Sequence, residues 1–166
     1  MYTARSIPQI IESRVLFGKT GMRTLLGHLV EMAELLREHF EGHDSTTVVN
    51  DRNFGTVTLF RVYPDGIDTW TITDYERTDI SAREELRAHN EYNRRIFHYL
   101  HEQAMKGKGV HVSMTDCYRH TNYGEPIVAL KSYMLSPFID EQHVELLVKN
   151  VLEAREKVDS HGHPIS

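Results

Sequence analysis

A lysine inside an otherwise apolar strand is the residue of this sequence that most clearly needs a partner. Lys131 is the only charge in the run IVALKSYML, and strand alternation places it on one face with Ile127, Ala129 and Tyr133. A cation on such a face must find an anion, reach solvent or lose its charge. We therefore predict that Lys131 binds an anionic ligand or partner. The alternative is that it protects an edge strand from pairing with another chain.

The loop before that strand gathers hydrogen-bonding side chains. The segment DCYRHTNYGEP, residues 116–126, contains Arg119 and His120 between two predicted strands. Loops on a rigid scaffold commonly carry binding groups, so both residues are candidates for lining a ligand site, and a solvated hairpin turn is the alternative. Cys117 lies in the same segment. We expect it to be a half-buried strand residue rather than a nucleophile, because a thiolate needs an activating base.

The histidines do not form a recognisable metal site. The sequence has 11 of them, and His98 and His101 lie three apart on a predicted helix. A closed zinc site needs further ligands, and no H-E-x-x-H or C-x-x-C pattern is present. P-loop, G-x-G-x-x-G and G-x-S-x-G patterns are absent as well. We therefore predict no metal site and assign no catalytic residue in this chain.

Length and composition indicate one globular domain or one piece of a larger chain. The 166 residues are 40% hydrophobic and 26% charged, with a single cysteine, so a core is expected without disulfides. Lys and Arg number 19 against 24 Asp and Glu, and the net charge of -5 argues against a nucleic-acid partner. No apolar run approaches the roughly 18 residues of a membrane span, and no signal peptide is recognisable. We expect no membrane association and a cytoplasmic location.

Helices and strands come in a distinct order in the first half of the chain. An apolar helix over residues 8–17 is expected to stop at Gly18, which suits the left-handed conformation after a helix. The helix that follows, residues 20–41, carries an apolar stripe made of Leu25, Leu29, Met32, Leu36 and Phe40. TTVVN and GTVTLFRVY are predicted strands. Residues 64–80 are predicted to form an excursion or lid rather than core.

The second half is predicted to contain a helix, a pair of strands and a last helix. Ser81 and Glu84 have the spacing of a capping box, so a helix should begin there and end near Lys106. GVHVSMTDCY and EPIVALKSYML are predicted strands around a turn at residues 122–124, and Asp140 is predicted to cap a last helix. The order α, α, β, β, α, β, β, α predicts an α+β fold, in which helices cover a small, mainly antiparallel sheet. A mixed or ferredoxin-like strand order stays open.

Four segments, taken together, resemble a known family. They are LFGKTGMRTLLGHLVEMAELLREHF, FGTVTLFRVYP, HNEYNRRIFHYLHEQAMKGKG and LKSYMLSPFIDEQHVELLVKNVLEA. They resemble the C-terminal part of the group II pyridoxal-phosphate-dependent amino-acid decarboxylases, relatives of the glutamate and aromatic-amino-acid decarboxylases. The resemblance runs from about Arg5 to Glu156, and it includes the matches of residues 93–95 and of Ser136 and Pro137.

The resemblance implies a domain organisation and a role for Lys131. Residues 1–42 would be a helical lead-in from a large domain, residues 43–158 the small domain of a fold-type I enzyme and residues 159–166 a flexible tail. Lys131 falls where most family members carry an arginine, which in glutamate-type members lies near the substrate carboxylate. Lysine keeps the charge but lacks the planar two-pronged contact of arginine. Arg119 and His120 would be further substrate contacts.

The family's cofactor chemistry is implied to reside outside this chain. In the family, a lysine of the large domain forms a Schiff base with pyridoxal phosphate, which acts as an electron sink during decarboxylation. None of the lysines here stands in a matching context. We therefore expect a portion of a carboxy-lyase of amino-acid metabolism that lines the substrate cleft, is inactive alone and joins a missing large domain or partner subunit. An apolar helix around Ile10 and Phe17 is a candidate contact face, and the complete enzyme is expected to be a homodimer.

Two alternatives from other classes stay open. The chain could be a stand-alone binding or regulatory module that never meets the cofactor. It could also be part of a fold-type I aminotransferase, although the segments NRRIF and LSPF favour the decarboxylases.

Overall fold

A computed structural model describes residues 6–50 and 55–161, with side chains for residues 18–50 and 55–160. The helices are α1 (Ser6–Glu41), α2 (Thr69–Thr78), α3 (Arg83–Met105) and α4 (Glu141–His161), with a 3₁₀ turn at Ile80–Ala82. The strands are β1 (Thr46–Val48), β2 (Val57–Val62), β3 (Ser113–Thr115) and β4 (Ala129–Tyr133). Within the described ranges, no helix has both the length and the apolar character needed to cross a membrane.

The sheet has the order β1-β2-β4-β3, and every neighbouring pair is antiparallel. Each predicted strand pair is therefore a hairpin-like unit, and the pairing of β2 with β4 joins the two units at the centre. The α+β fold with an antiparallel sheet is confirmed. The second pair is shorter than predicted, because the backbone of β3 ends at a turn where Cys117 N donates to Thr115 Oγ1 at 3.4 Å.

One face of the sheet packs against α1, α3 and α4 and forms the main core. Gly18 interrupts α1 with φ 61° and ψ -174°, which confirms the expected break. Of the predicted stripe after it, Leu25 is half-buried and the other members are buried. The ring of Phe40 stacks on that of Phe60 from β2, with centroids 4.2 Å apart. The side chains of residues 6–17, with the expected contact face around Ile10, lie outside the described residues.

Two asparagines of α3 join this helix to both central strands. Asn93 is buried; its Oδ1 accepts from Val62 N at 2.9 Å and its Nδ2 donates to Val62 O at 2.8 Å. One turn earlier, Asn90 Oδ1 accepts from Val128 N at 2.9 Å, next to β4. The backbone groups at these positions are buried and need hydrogen-bond partners. The side-chain amides of the two asparagines supply them and so fix the position of α3 relative to the strands.

Two of the predicted helix starts have different outcomes. Asp140 Oδ1 accepts from His143 N at 3.1 Å, which confirms Asp140 as the cap of α4. The predicted capping box at Ser81 and Glu84 is wrong. Ser81 N and Oγ both bond to Asp79 Oδ1, at 2.9 and 2.8 Å, and close the 3₁₀ turn, so α3 begins only at Arg83 without a side-chain cap.

The segment over residues 64–80 is partly helical and is not wholly outside the core. Asp68 caps α2, with its carboxylate accepting from Trp70 N at 3.2 Å. Glu76 is the buried residue of this helix, at 2% exposure. The prediction failed here because α2 is anchored by a charged residue, and hydrophobic periodicity does not register a buried carboxylate.

Candidate functional site

The second face of the sheet carries a fully buried arginine. Arg61 in β2 is 1% exposed, and its guanidinium donates to Asn90 Oδ1 at 2.8 Å and to Val128 O at 2.6 Å. It also donates to Tyr63 OH at 3.0 Å and to Glu76 Oε2 at 3.2 Å. Because these acceptors already bond to the guanidinium, Arg61 has a structural role and is not free to bind a ligand.

Glu76 completes a buried polar network above Arg61. Its second oxygen, Oε1, lies 2.5 Å from Nδ1 of His89, and Tyr63 OH donates to Oε2 at 3.2 Å. Burial by itself lowers the pKa of Arg61, but the electrostatic interactions with Tyr63 and Glu76 outweigh this effect and raise that pKa above its usual value. Burial raises the pKa of Tyr63. The arginine therefore stays charged and the phenol neutral at physiological pH.

A cavity of about 680 Å³ lies on this network, between α2, the first strand pair and the loop after β3. Arg61, Tyr63 and Glu76 line it, together with the phenol of Tyr118. Burial raises the pKa of Tyr118 to about 12. The volume falls within the range of small-molecule pockets.

Lys131 lies elsewhere on the same face of the sheet. It is half-buried in β4, opposite Leu59 of β2 and Ser113 of β3. Its Nζ lies 4.9 Å from the ring centroid of Tyr133, and none of the described acidic side chains forms an ion pair with it. Because β4 is an interior strand, protection of a sheet edge does not explain this lysine.

The other two predicted site residues take separate positions. Arg119 lines the cavity, with its guanidinium carbon 5.9 Å from the ring centroid of Tyr118. His120 is exposed and pairs by a backbone bridge with Pro126, without lining the cavity. Lys131 does not line it either. The three residues predicted as substrate contacts therefore share a sheet face and its loop but do not form one cluster.

Cys117 is not a half-buried strand residue. It is exposed in the loop after β3, with Sγ 3.5 Å from Thr115 Oγ1. The prediction was wrong because β3 ends at Thr115, three residues before the end of the predicted strand GVHVSMTDCY.

Sequence reasoning missed the buried network, although one of its members carried a usable pattern. Arg61 is the only charge in the predicted strand GTVTLFRVY, the same anomaly that singled out Lys131. Applied consistently, this pattern predicts a buried or ligand-bound cation at both positions. Nothing in the sequence pairs Arg61 with Glu76, because the partner comes from a different element.

The histidines that invited a metal hypothesis do not converge. The rings of His101 and His111 have centroids 6.0 Å apart, and His101 stacks on Phe97. Across the part of the chain with described side chains, no three His, Cys, Asp or Glu residues are placed to share a metal ion.

Solved structures of decarboxylases contain this fold. Tryptophan decarboxylase from Catharanthus roseus, in complex with L-tryptophan, is 15% identical with a TM-score of 0.59; the match covers 87% of this chain and 25% of that chain. The glutamate decarboxylase domain of a Vibrio parahaemolyticus diaminobutyrate-pyruvate transaminase and L-2,4-diaminobutyrate decarboxylase is 12% identical with a TM-score of 0.61, covering 89% and 25%. This chain has the fold of one quarter of these enzymes.

The fold also occurs in a protein that is named after an aldehyde product. The 4-hydroxyphenylacetaldehyde synthase of Rhodiola rosea is 15% identical with a TM-score of 0.60, and the match covers 86% of this chain and 24% of that chain. No protein-family model matches the sequence. No curated protein matches it. The likeness therefore establishes the fold alone.

Proposed function

We propose that this chain is the C-terminal small domain of a pyridoxal-phosphate-dependent amino-acid decarboxylase and forms one wall of its substrate cleft. The observation that carries the proposal is the fold match, which covers 86% to 89% of this chain and about a quarter of the neighbours. The ordered segments that resemble the same family in sequence agree with it. On this proposal the complete enzyme acts on an amino-acid substrate.

Lys131 is the proposed partner of the substrate carboxylate. Its charge lies on a half-buried sheet face, with no ion-pair partner among the residues the structure describes. A partly desolvated cation without a counter-ion binds an anion more strongly than a solvated surface lysine does. Arg119 and His120 stay predictions as further substrate contacts.

The described residues do not fit the cofactor. Pyridoxal phosphate needs a lysine for its Schiff base in a closed site. None of the lysines of this chain lines the cavity on the second sheet face, and all of them are exposed or half-buried: Lys19, Lys106, Lys108, Lys131, Lys149 and Lys157. On the proposal, the cofactor of the complete enzyme is held outside this chain, by a large domain or partner subunit. A homodimeric, cytoplasmic enzyme is part of the same proposal.

The test is reconstitution with the large domain encoded next to this chain or supplied from a decarboxylase. We expect release of carbon dioxide from an amino acid by the reconstituted enzyme and none by the chain alone. Lys131→Ala should weaken substrate binding by about 1 to 3 kcal/mol, the range of a charged hydrogen bond, and Lys131→Arg should restore it. Lys149→Ala, on the surface of α4, is the matched control.

The products distinguish the alternatives. Amine and carbon dioxide support the decarboxylase, whereas transfer of the amino group to an oxoacid indicates an aminotransferase. Aldehyde should be measured too, because one neighbour is named as an aldehyde synthase. Failure of every large domain to bind the chain would favour a stand-alone module.

A further inference from the structure

An open groove of about 480 Å³ runs along α4 where this helix packs against α1, and we call it the α1–α4 groove. Its wall from α1 is His39, in the last turn of that helix, and the rest of its lining comes from α4. Two of the lining residues, Val148 and Leu152, are half-buried and lie four positions apart. Residues at this spacing lie on the same side of a helix, so the two side chains form an apolar strip along the groove.

Carboxylates lie at both ends of this apolar strip. Glu145 lies one turn before it and Glu156 one turn after it, at spacings of three and four positions. Both side chains are exposed, and neither has an ion-pair partner among the residues with described side chains. The third acid of the lining, Glu153, lies 3.7 Å from the ammonium group of Lys149. The groove therefore has a carboxylate without a counter-ion at each end.

The charge of the lining restricts what can occupy the groove. Three glutamates line it against one lysine. A second copy of this chain would bring the same carboxylates to the interface, and like charges placed opposite each other disfavour binding. Phosphate groups of nucleic acids or anionic membranes would be repelled in the same way. A cationic partner is attracted, and an apolar surface on that partner would also bury the strip.

The dimensions of the groove fit a helix. Glu145 and Glu156 are eleven positions apart, which is about three turns, or roughly 16 Å along the axis of α4. An amphipathic helix binds such a groove with its apolar face, through anchors three and four positions apart. Lysine and arginine have long side chains, so basic residues near the ends of that helix reach the two carboxylates while its centre covers the strip.

We infer that the α1–α4 groove binds a cationic amphipathic helix of a partner protein. The apolar face of that helix covers Val148 and Leu152. A lysine or arginine near each of its ends pairs with Glu145 or Glu156. The groove lies on the helical side of the sheet, whereas Lys131 and the cavity lie on the other face. The inference therefore goes beyond the proposed decarboxylase and does not depend on it.

The experiment uses the 166-residue chain and a fluorescein-labelled peptide of about 18 residues, a length at which alanine-rich helices form. Alanine and glutamine make up most of the peptide. Two leucines lie four positions apart at its centre, flanked by two lysines that are eleven positions apart, like Glu145 and Glu156. A second peptide has glutamate in place of both lysines, and a third has glutamine in place of both leucines.

Fluorescence anisotropy measures the binding of each peptide. We expect saturable binding of the first peptide with a Kd below about 1 mM. The second peptide should bind about tenfold or more weakly, because two attractive contacts become repulsive. The third should also bind about tenfold or more weakly, because it leaves the apolar strip uncovered.

Matched variants locate the site. The double variant Glu145→Gln with Glu156→Gln should weaken the first peptide about threefold or more, because two exposed ion pairs are lost. Glu85→Gln with Glu91→Gln removes the same charge from exposed positions of α3 outside the groove and should change binding less than about twofold. Leu152→Gln should weaken the first peptide through the lost apolar contact, and thermal unfolding followed by circular dichroism checks that each variant is folded.

Several outcomes would overturn the inference. They are the absence of saturable binding, equal binding of all three peptides, and equal binding of the first peptide by the groove variant and the α3 variant. Sedimentation of the chain without peptide tests a second copy as the occupant, and a dimer that Leu152→Gln dissociates would also overturn the inference. Amide chemical-shift changes caused by the first peptide should centre on residues 145–156, and changes centred on α2 would contradict this position.

Discussion

Glu76 of α2 and Arg61 of β2 form an ion pair that is removed from solvent, with Nη2 3.2 Å from Oε2 and both side chains 1% to 3% exposed. The pair joins a short polar helix to the centre of the sheet. Since Glu76 is the buried residue of α2, this helix is held in place by charge more than by apolar packing. The buried network that lines the cavity therefore depends on this ion pair together with the contacts of Glu76 to His89 and Tyr63.

Replacing Glu76 by Gln should lower the free energy of unfolding by about 3 to 5 kcal/mol, because it leaves the Arg61 charge buried without its counter-ion. Urea denaturation measures this difference. Asp74→Asn removes the exposed pair with Arg77 and should cost less than about 1 kcal/mol. If both variants lose the same free energy of unfolding, the buried ion pair contributes no more to stability than the exposed one, which would contradict the prediction.

Alkaline pH should destabilise the chain through Tyr118. Burial raises the pKa of this phenol from 10.0 to about 12, so the unfolded chain loses the proton first. The stability that comes from burying the neutral phenol of Tyr118 is complete below pH 10 and is lost as the pH rises towards 12. The tyrosinate absorbance of the unmodified chain minus that of Tyr118→Phe should show one transition near 12. A transition near the ordinary value would contradict the burial of this phenol.

Lys131 should be unnecessary for folding. Its side chain is half-buried and has no carboxylate partner among the described residues, so Lys131→Met removes an unbalanced charge and keeps the apolar stem. We expect the free energy of unfolding of the isolated chain to rise by about 0.5 to 2 kcal/mol. Lys149→Met, at an exposed site, should change it by less than about 0.5 kcal/mol. A destabilised Lys131→Met chain would indicate a structural role for the charge.

Pyridoxal phosphate should label the isolated chain without site preference. Its lysines are exposed or half-buried, and none lines the cavity, so none is held where a Schiff base would be protected from water. After borohydride reduction, mass spectrometry should show adducts spread over several lysines, as in the urea-unfolded chain. Complete modification of a single lysine at one equivalent of cofactor would contradict the assignment of the cofactor site to another domain.

The helices and the sheet class could be predicted because they follow apolar patterning. The stripe from Leu29 to Phe40 and the cap at Asp140 are local features, and the structure contains both. The Ser81 capping box failed because Asp79 competes for the same hydroxyl and amide. Two short-range hydrogen-bond patterns fit that segment, and spacing alone does not choose between them.

The site was harder to predict than the fold because its partners come from distant elements. The sequence singles out Lys131 as an unusual charge in an apolar strand, and the interior position of β4 removes the edge-strand alternative without testing the ligand prediction. Arg61 shows the same anomaly, yet its partners Glu76 and Asn90 lie 15 and 29 residues away in sequence. Pairings of this kind depend on strand order and helix placement, which local sequence does not encode.

The outermost strands, β1 and β3, are three residues long each. A strand of this length exposes few unpaired amides and carbonyls, so it is a poor template for adding a strand from another molecule. Any assembly of this chain should therefore proceed through side chains on its surfaces, and the protein should resist fibril growth by strand addition even when it is highly concentrated.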